Sequence, residues 1–176
     1  LTNQFPGLAR GPIDHNASSV INVIADDAIT MGSLLKLKDL VTPTISSELL
    51  PRVEETTGGG TESAYGIAVG GDTDGIYGDG STATDDSTRA TASAGQGVVV
   101  VTQGRCLARV TGFNTTGGGA NISVGDALAP SEGSVSGTLV QGVGTAGLFV
   151  IARALQPVAS GETDIIAVDI QREGSP

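Results

Sequence analysis

Aromatic side chains are scarce: three Phe, two Tyr and no Trp among 176 residues. A core must therefore be built from Val, Ile, Leu and Ala, each of which buries less area than an aromatic ring. Cysteine occurs once, at Cys106, so no internal disulfide can hold the fold. A lone thiol in an apolar stretch is expected to be buried and inert. Histidine also occurs once, at His15. One His and one Cys exclude metal sites built from clusters of those residues. A Ser-His-Asp site would have to use His15, which stands beside Asp14 in a stretch broken by Pro and Gly, and no G-x-S-x-G elbow accompanies it. Basic residues are few, nine Lys and Arg against nineteen Asp and Glu, for a net charge of −10. That balance argues against binding nucleic acid through its phosphates. No apolar run approaches the length of a membrane span, and no signal-peptide pattern is visible.

What remains is a chain of short apolar runs and many turns. Residues 1–18 contain Pro6, Gly7, Gly11 and Pro12, which break any regular element. Phe5, Leu8 and Ile13 are nonetheless spaced along this stretch. The segment reads as an extended N-terminal arm that docks on a partner, with those three residues as its contacts, or equally as an ordinary frayed terminus. Val20, Val23 and Ile24 suggest a first strand, Asp26-Asp27 a turn, and Leu34 to Leu37 a second strand. Residues 41–51 form a connection, Arg52 to Thr56 a short strand, and Tyr65 to Val69 a further strand. Gly70 to Gly97 is the most polar and Gly-rich part, read as a long exposed loop.

From Gly95 to Gln171 short β-branched runs alternate with turns of Gly, Ser, Asn and Asp. This half reads as one compact β unit. A weak internal echo links the halves: Ile29-Thr30-Met31-Gly32-Ser33-Leu34-Leu35 matches Ile122-Ser123-Val124-Gly125-Asp126-Ala127-Leu128. Both place a turn glycine between apolar positions, with a small polar residue after it. The echo predicts two similar β-corner units rather than a solenoid array.

Few constellations could carry chemistry. Asp72, Asp74 and Asp79 lie on a Gly-rich loop and could converge on a hard cation. An EF-hand loop needs more oxygens at set positions and a late Glu, which is missing. A solvated acidic loop is the simpler reading, and no metal or other cofactor is expected. Gly58-Gly59-Gly60 and Gly117-Gly118-Gly119 lack the Lys-Ser/Thr ending of a phosphate loop. Lys36, Lys38, Arg105, Arg109 and Arg153 read as solvated strand surface. With 27 glycines to order, a lone protomer would gain from oligomer contacts.

Gly97 to Val101, Gly104-Arg105 with a strand to Val110, Ile122 to Leu128, Ile151 to Leu155, the turn Ser160-Gly161-Glu162 and a closing strand Ile165 to Ile170 follow one another in a distinctive order. In that order the chain resembles the capsid decoration, or cement, proteins of tailed viruses. Leu34 to Leu37, the segment near Arg52-Val53 and Tyr65 to Val69 are similar to the front part of such proteins. The resemblance covers about two thirds of the chain and leaves out the arm and the loop at 70–97. It implies an all-β fold, a compact β-barrel or β-tulip-like domain over residues 19–176. It also implies a homotrimer on the outer surface of a virion, bound to a major capsid protein and bridging its subunits, without enzymatic activity, nucleic acid or membrane. A β-rich carbohydrate-binding or adhesive module of a virion fibre is the alternative. Its need for aromatic platforms is poorly met by Phe5, Tyr65, Tyr77, Phe113 and Phe149. An enzyme with an acidic pair is a distant third.

Overall fold

The computed structural model describes residues 19–38, 51–58, 63–71, 90–131, 135–142 and 150–173. Along the first of these, Val20 to Ala25 is a mostly β-branched apolar run interrupted by Asn22 and forms β1 (Ser19–Ala25). There follow β2 (Ile29–Thr30), β3 (Leu34–Leu37), β4 (Arg52–Glu55), β5 (Ala64–Gly71) and β6 (Ala90–Ala92). The second half contains β7 (Gly97–Asn114), β8 (Ala127–Pro130), β9 (Leu139–Gln141), β10 (Val150–Ala154) and β11 (Thr163–Glu173). The fold is all-β.

Two closed circuits of strands share β7. The first runs β1-β4-β3-β5-β7 and returns to β1; the second runs β7-β11-β10-β8-β9 and returns to β7. Each circuit is a small five-stranded barrel with one parallel pair, β1 with β4 in the first and β7 with β9 in the second. Closure leaves few free sheet edges. The strand that joins them is 18 residues long, roughly 60 Å at about 3.3 Å per residue. Gly97–Val101 and the run to Val110, expected as separate strands around Gly104, are one strand. Gly104 adopts a φ of 95° within it and is buried, a conformation that suits a residue without Cβ.

The barrels are two copies of one plan. In the first, Ala25 N donates to Gln96 O at 2.9 Å and Gly95 N to Ala25 O at 2.8 Å; in the second, Gly112 N donates to Glu162 O at 2.7 Å and Gly161 N to Gly112 O at 2.9 Å. The antiparallel pairing of Ile29 with Ala92 is matched by that of Ile122 with Val158. The echo seen in the sequence marks the most faithful part of the repeat. Gly32 N donates to Ala68 O and Ser33 N to Thr30 O; Gly125 N donates to Ala154 O and Asp126 N to Ser123 O. Gly32 and Gly125 have φ of 73° and 92°, which is why glycine stands at both. Leu35 then pairs with Glu55 and Leu128 with Gln141. The amide that closes the turn finds a carboxylate in both barrels. Thr30 N donates to Glu55 Oε1 at 2.6 Å, and Ser123 N to Asp126 Oδ2 at 2.9 Å. Ser33 Oγ completes the first arrangement and Gln141 Nε2 the second, so donor and acceptor have exchanged places between the copies.

The cores follow from this plan. Val23, Ile29, Leu35, Val53, Ala68 and Val100 fill the first barrel. Ile122, Leu128, Leu139, Val110, Ala154 and Ile166 fill the second. The alternate residues of the first barrel, among them Met31, Leu34, Ile67 and Val69, belong to the same buried cluster as the second barrel's core. The seam between barrels is thus apolar and continuous with a core. It is also stitched by backbone hydrogen bonds: Arg109 N to Gly32 O, Leu34 N to Gly137 O and Gly137 N to Thr56 O, each 2.8 Å. The polar stretch expected as a loop over 70–97 is shorter at both ends. Gly70 and Gly71 belong to β5, and Ala90–Ala92 is β6.

Candidate binding surface

The start of β1 and the seam create a concavity. An open groove of about 580 Å³ is lined by Ile21, Tyr65, Thr102, Gln103, Ile170 and Gln171. It forms because β1, β5 and β11 all converge on the stretch of β7 where one barrel passes into the next. Ser19 pairs with Gln103, Ile67 with Val101 and Ile170 with Gly104. Thr102 Oγ1 donates to Ser19 O at 3.3 Å and ties the entry of β1 to β7. Among the described residues the lining carries no charged side chain, in a chain with 28 charged residues from nine basic and nineteen acidic. An uncharged, mixed polar and apolar groove suits a peptide backbone or a protein surface better than a phosphate or a cation.

Strand edges add to this surface. Only Ile24 and Ala25 of β1 pair with β4, so among the described strands none covers the same edge from Ser19 to Val23. Asn22 on this edge is exposed. An open edge offers unpaired amides and carbonyls to an incoming strand or turn. On the second barrel the turn Ser123–Asp126 is exposed, and Val124 at its tip is 64% accessible.

A charge cluster sits on the first barrel. Carboxylate oxygens of Asp26, Asp27 and Glu54 lie within 4.8 Å of one another. Lys38 Nζ is 3.2 Å from Asp26 and 2.5 Å from Glu54, Arg52 Nη1 is 3.3 Å from Asp26, and Lys36 Nζ is 3.4 Å from Glu54. Asp26 and Glu54 are thus each paired with two cationic side chains. The hydrogen bond from Lys38, helped by Arg52, holds the Asp26 carboxyl below its ordinary range. Hydrogen bonds from Lys38 and then Lys36 do the same for Glu54. Lys38 is pushed up, first by Glu54 and then by Asp26. The cluster is a clamp between the β1–β2 turn, β3 and β4. Reading Lys36 and Lys38 as merely solvated missed it; the register that sets Lys36 opposite Glu54 is what assembles it.

The other expected site residues divide cleanly. Cys106 is 1% exposed, and burial, followed by the charge of Asp169, pushes its thiol far above the ordinary value. It can be neither nucleophile nor ready metal ligand. Phe5, Leu8 and Ile13 of the arm, His15, and Asp72, Asp74 and Asp79 lie outside the described residues. Of the aromatics, Tyr65 lines the groove and Phe113 is half-buried; Phe5, Tyr77 and Phe149 lie outside the described residues. Asn114 and Asn121, both in glycosylation sequons, use their side-chain oxygens to accept from the backbone: Asn114 from Thr116 and Gly118, Asn121 from Ser160. The described residues bring together no nucleophile, base and oxyanion donors of the kind that acyl or phosphoryl chemistry needs.

No family model matches the chain, and no curated protein matches it. Among solved structures, the chain is similar to the head fiber gp8.5 N base of bacteriophage phi29 at 13% identity, with a TM-score of 0.44, over 89% of this chain and 96% of that one.

Proposed function

We propose that the chain is a non-enzymatic structural protein of a tailed-virus particle, attached to the outer surface of the head and acting there as a homotrimer. The observation that carries the reading is the tandem of closed barrels that presents, among the described residues, a groove without a charged lining side chain, a strand edge and an exposed apolar turn. Such features bind protein surfaces by backbone pairing and apolar burial. The order of strands and turns that resembles decoration proteins supplies the viral setting. In this reading the major capsid protein is the partner, and the arm with Phe5, Leu8 and Ile13 contributes to attachment. The net charge of −10 keeps many copies soluble at the high local density of a capsid surface.

Two versions share this core. A cement protein bridges neighbouring capsid subunits and raises the barrier to rupture. A fibre base is anchored to the head and carries an adhesive part outward. Tyr65 in the groove is the feature here that a sugar-binding fibre module would use. Co-sedimentation of the purified chain with undecorated heads tests the shared reading, and failure to bind at micromolar concentration overturns it. Heating the decorated heads separates the versions. A rise in the temperature of head disruption supports cement, and binding without such a rise supports a fibre base.

A further inference from the structure

The repeat makes a comparison possible that no single barrel offers. The same turn occurs twice, and its two copies have opposite surroundings. Met31 at the tip of the first is 1% exposed, whereas Val124 at the tip of the second is 64% exposed. A Cβ on Gly32 would meet Arg109 N at 2.9 Å and the carbonyl carbon of Ala108 at 3.3 Å, whereas a Cβ on Gly125 meets nothing within 4 Å. The first turn is buried because it sits on the Ala108–Arg109 stretch of β7, where Arg109 N donates to Gly32 O. The second turn has no such seat among the described residues.

The seat itself is also repeated. Ala25 and Gly112 occupy matching places, with the same pair of hydrogen bonds to the following turn. Counting back along strands in unbroken register, Ile21 pairs with Val100 as Ala108 pairs with Ile166. Ile21-Asn22 of β1 therefore corresponds to Ala108-Arg109 of β7. In the second barrel that seat is filled by the first barrel's turn. In the first barrel the corresponding seat is the edge of β1 that no described strand covers, with Ile21 forming one wall of the groove. Among the described residues, then, one turn lacks a seat and one seat lacks a turn.

We propose that the Ser123–Asp126 turn of one molecule docks on the Ile21-Asn22 edge and adjoining groove of a second copy, repeating between molecules the contact that joins the barrels within one. Val124 would enter the groove as Met31 enters the seam, and the Gly125 carbonyl would accept from the Asn22 amide. Such a contact is head to tail, so it generates a closed ring where the rotation closes and a filament where it does not. It rests on the homo-oligomeric reading proposed above and assigns the surfaces that make it.

Two single-cysteine variants test the assignment. Val124→Cys is made in one preparation and Gln103→Cys, an exposed groove position, in another; Cys106 is buried and does not compete. After mixing and mild oxidation, a disulfide-linked dimer is expected in the mixture and in neither preparation alone. Val124→Asp in the otherwise native chain is expected to weaken self-association at least tenfold by light scattering. An oligomer whose mass is untouched by Val124→Asp, with no mixed disulfide, overturns the surface assignment and leaves the oligomeric reading standing. A disulfide between like variants alone means a two-fold contact and also overturns it. A mixed disulfide that appears only after deletion of residues 1–18 means that the arm fills the groove, and the proposal fails. A monomer at all concentrations ends both readings together.

Discussion

Gly32 and Gly125 hold matching positive-φ positions, but only Gly32 lies against backbone. Alanine at either site must adopt a left-handed conformation, at a cost of about 1–2 kcal/mol. At Gly125 that is the whole cost, because the space around it is open. At Gly32 the new methyl also meets the Arg109 amide at 2.9 Å, and backbone cannot yield as a flexible side chain can. Urea denaturation is expected to show Gly32→Ala clearly more destabilising than Gly125→Ala; equal losses would mean that the seam is not as close as described. The tip residues make the same contrast through packing. Met31→Ala removes a fully buried side chain and is expected to cost about 2–5 kcal/mol. Val124→Ala trims an exposed one and is expected to stay within about 0.5 kcal/mol in the isolated protomer. A large loss at Val124 in dilute monomer would show that the turn packs on its own molecule.

At the scale of strands and turns, the ion-pair clamp fixes how β3, β4 and the turn after β1 sit together. Asp26 and Glu54 have ordinary values of 3.8 and 4.5, and both are held lower in the fold. A carboxylate with a depressed folded value contributes stability that is fully present above its unfolded value and is lost as pH falls through the folded one. The melting temperature is therefore expected to begin falling near pH 5 and to continue falling below 3.8, as the depressed carboxyls of Asp26 and Glu54 protonate. Lys38→Met should flatten this acid limb, since Lys38 is the largest cause of both shifts. An unchanged acid limb in that variant would show that other carboxylates control it. Local chemistry made much of this scale legible in the sequence. Tyr65 to Val69 reads as a strand from its apolar run, Ser160-Gly161-Glu162 as a turn from its glycine, and the Met31 and Val124 motifs as a repeat from their spacing. What stayed hidden depends on distant neighbours. Gly104 reads as a break until β11 is seen pairing up to it from one side and β1 up to Gln103 from the other. Lys38 reads as solvated until β4 brings Glu54 beside it. Met31 and Val124 are alike as residues, and only the barrel on the other side of the seam decides that one is buried and the other exposed.

For the molecule as a whole, the shared strand decides how the barrels unfold. Two domains joined by a linker can melt separately. Here β7 supplies a wall to both barrels, and one residue of it, Val101, pairs with β1 and β5 while Cys106, five positions on, pairs with β11. Met31, Leu34 and Ile67 of the first barrel are buried in the same cluster as Ala108 and Val168 of the second. Melting the first barrel alone would free one end of β7 and expose that cluster, so an intermediate with one barrel intact loses much of its own core. Cooperative two-state unfolding follows from such sharing. Calorimetry on the dilute monomer is expected to show one transition, with the calorimetric enthalpy equal to the van't Hoff value. Met31→Ala provides the sharper test, because it weakens only the seam. If the seam couples the barrels strongly, the variant melts lower but still in one step. Two resolved transitions in the native chain would show that the barrels are independent despite their common strand.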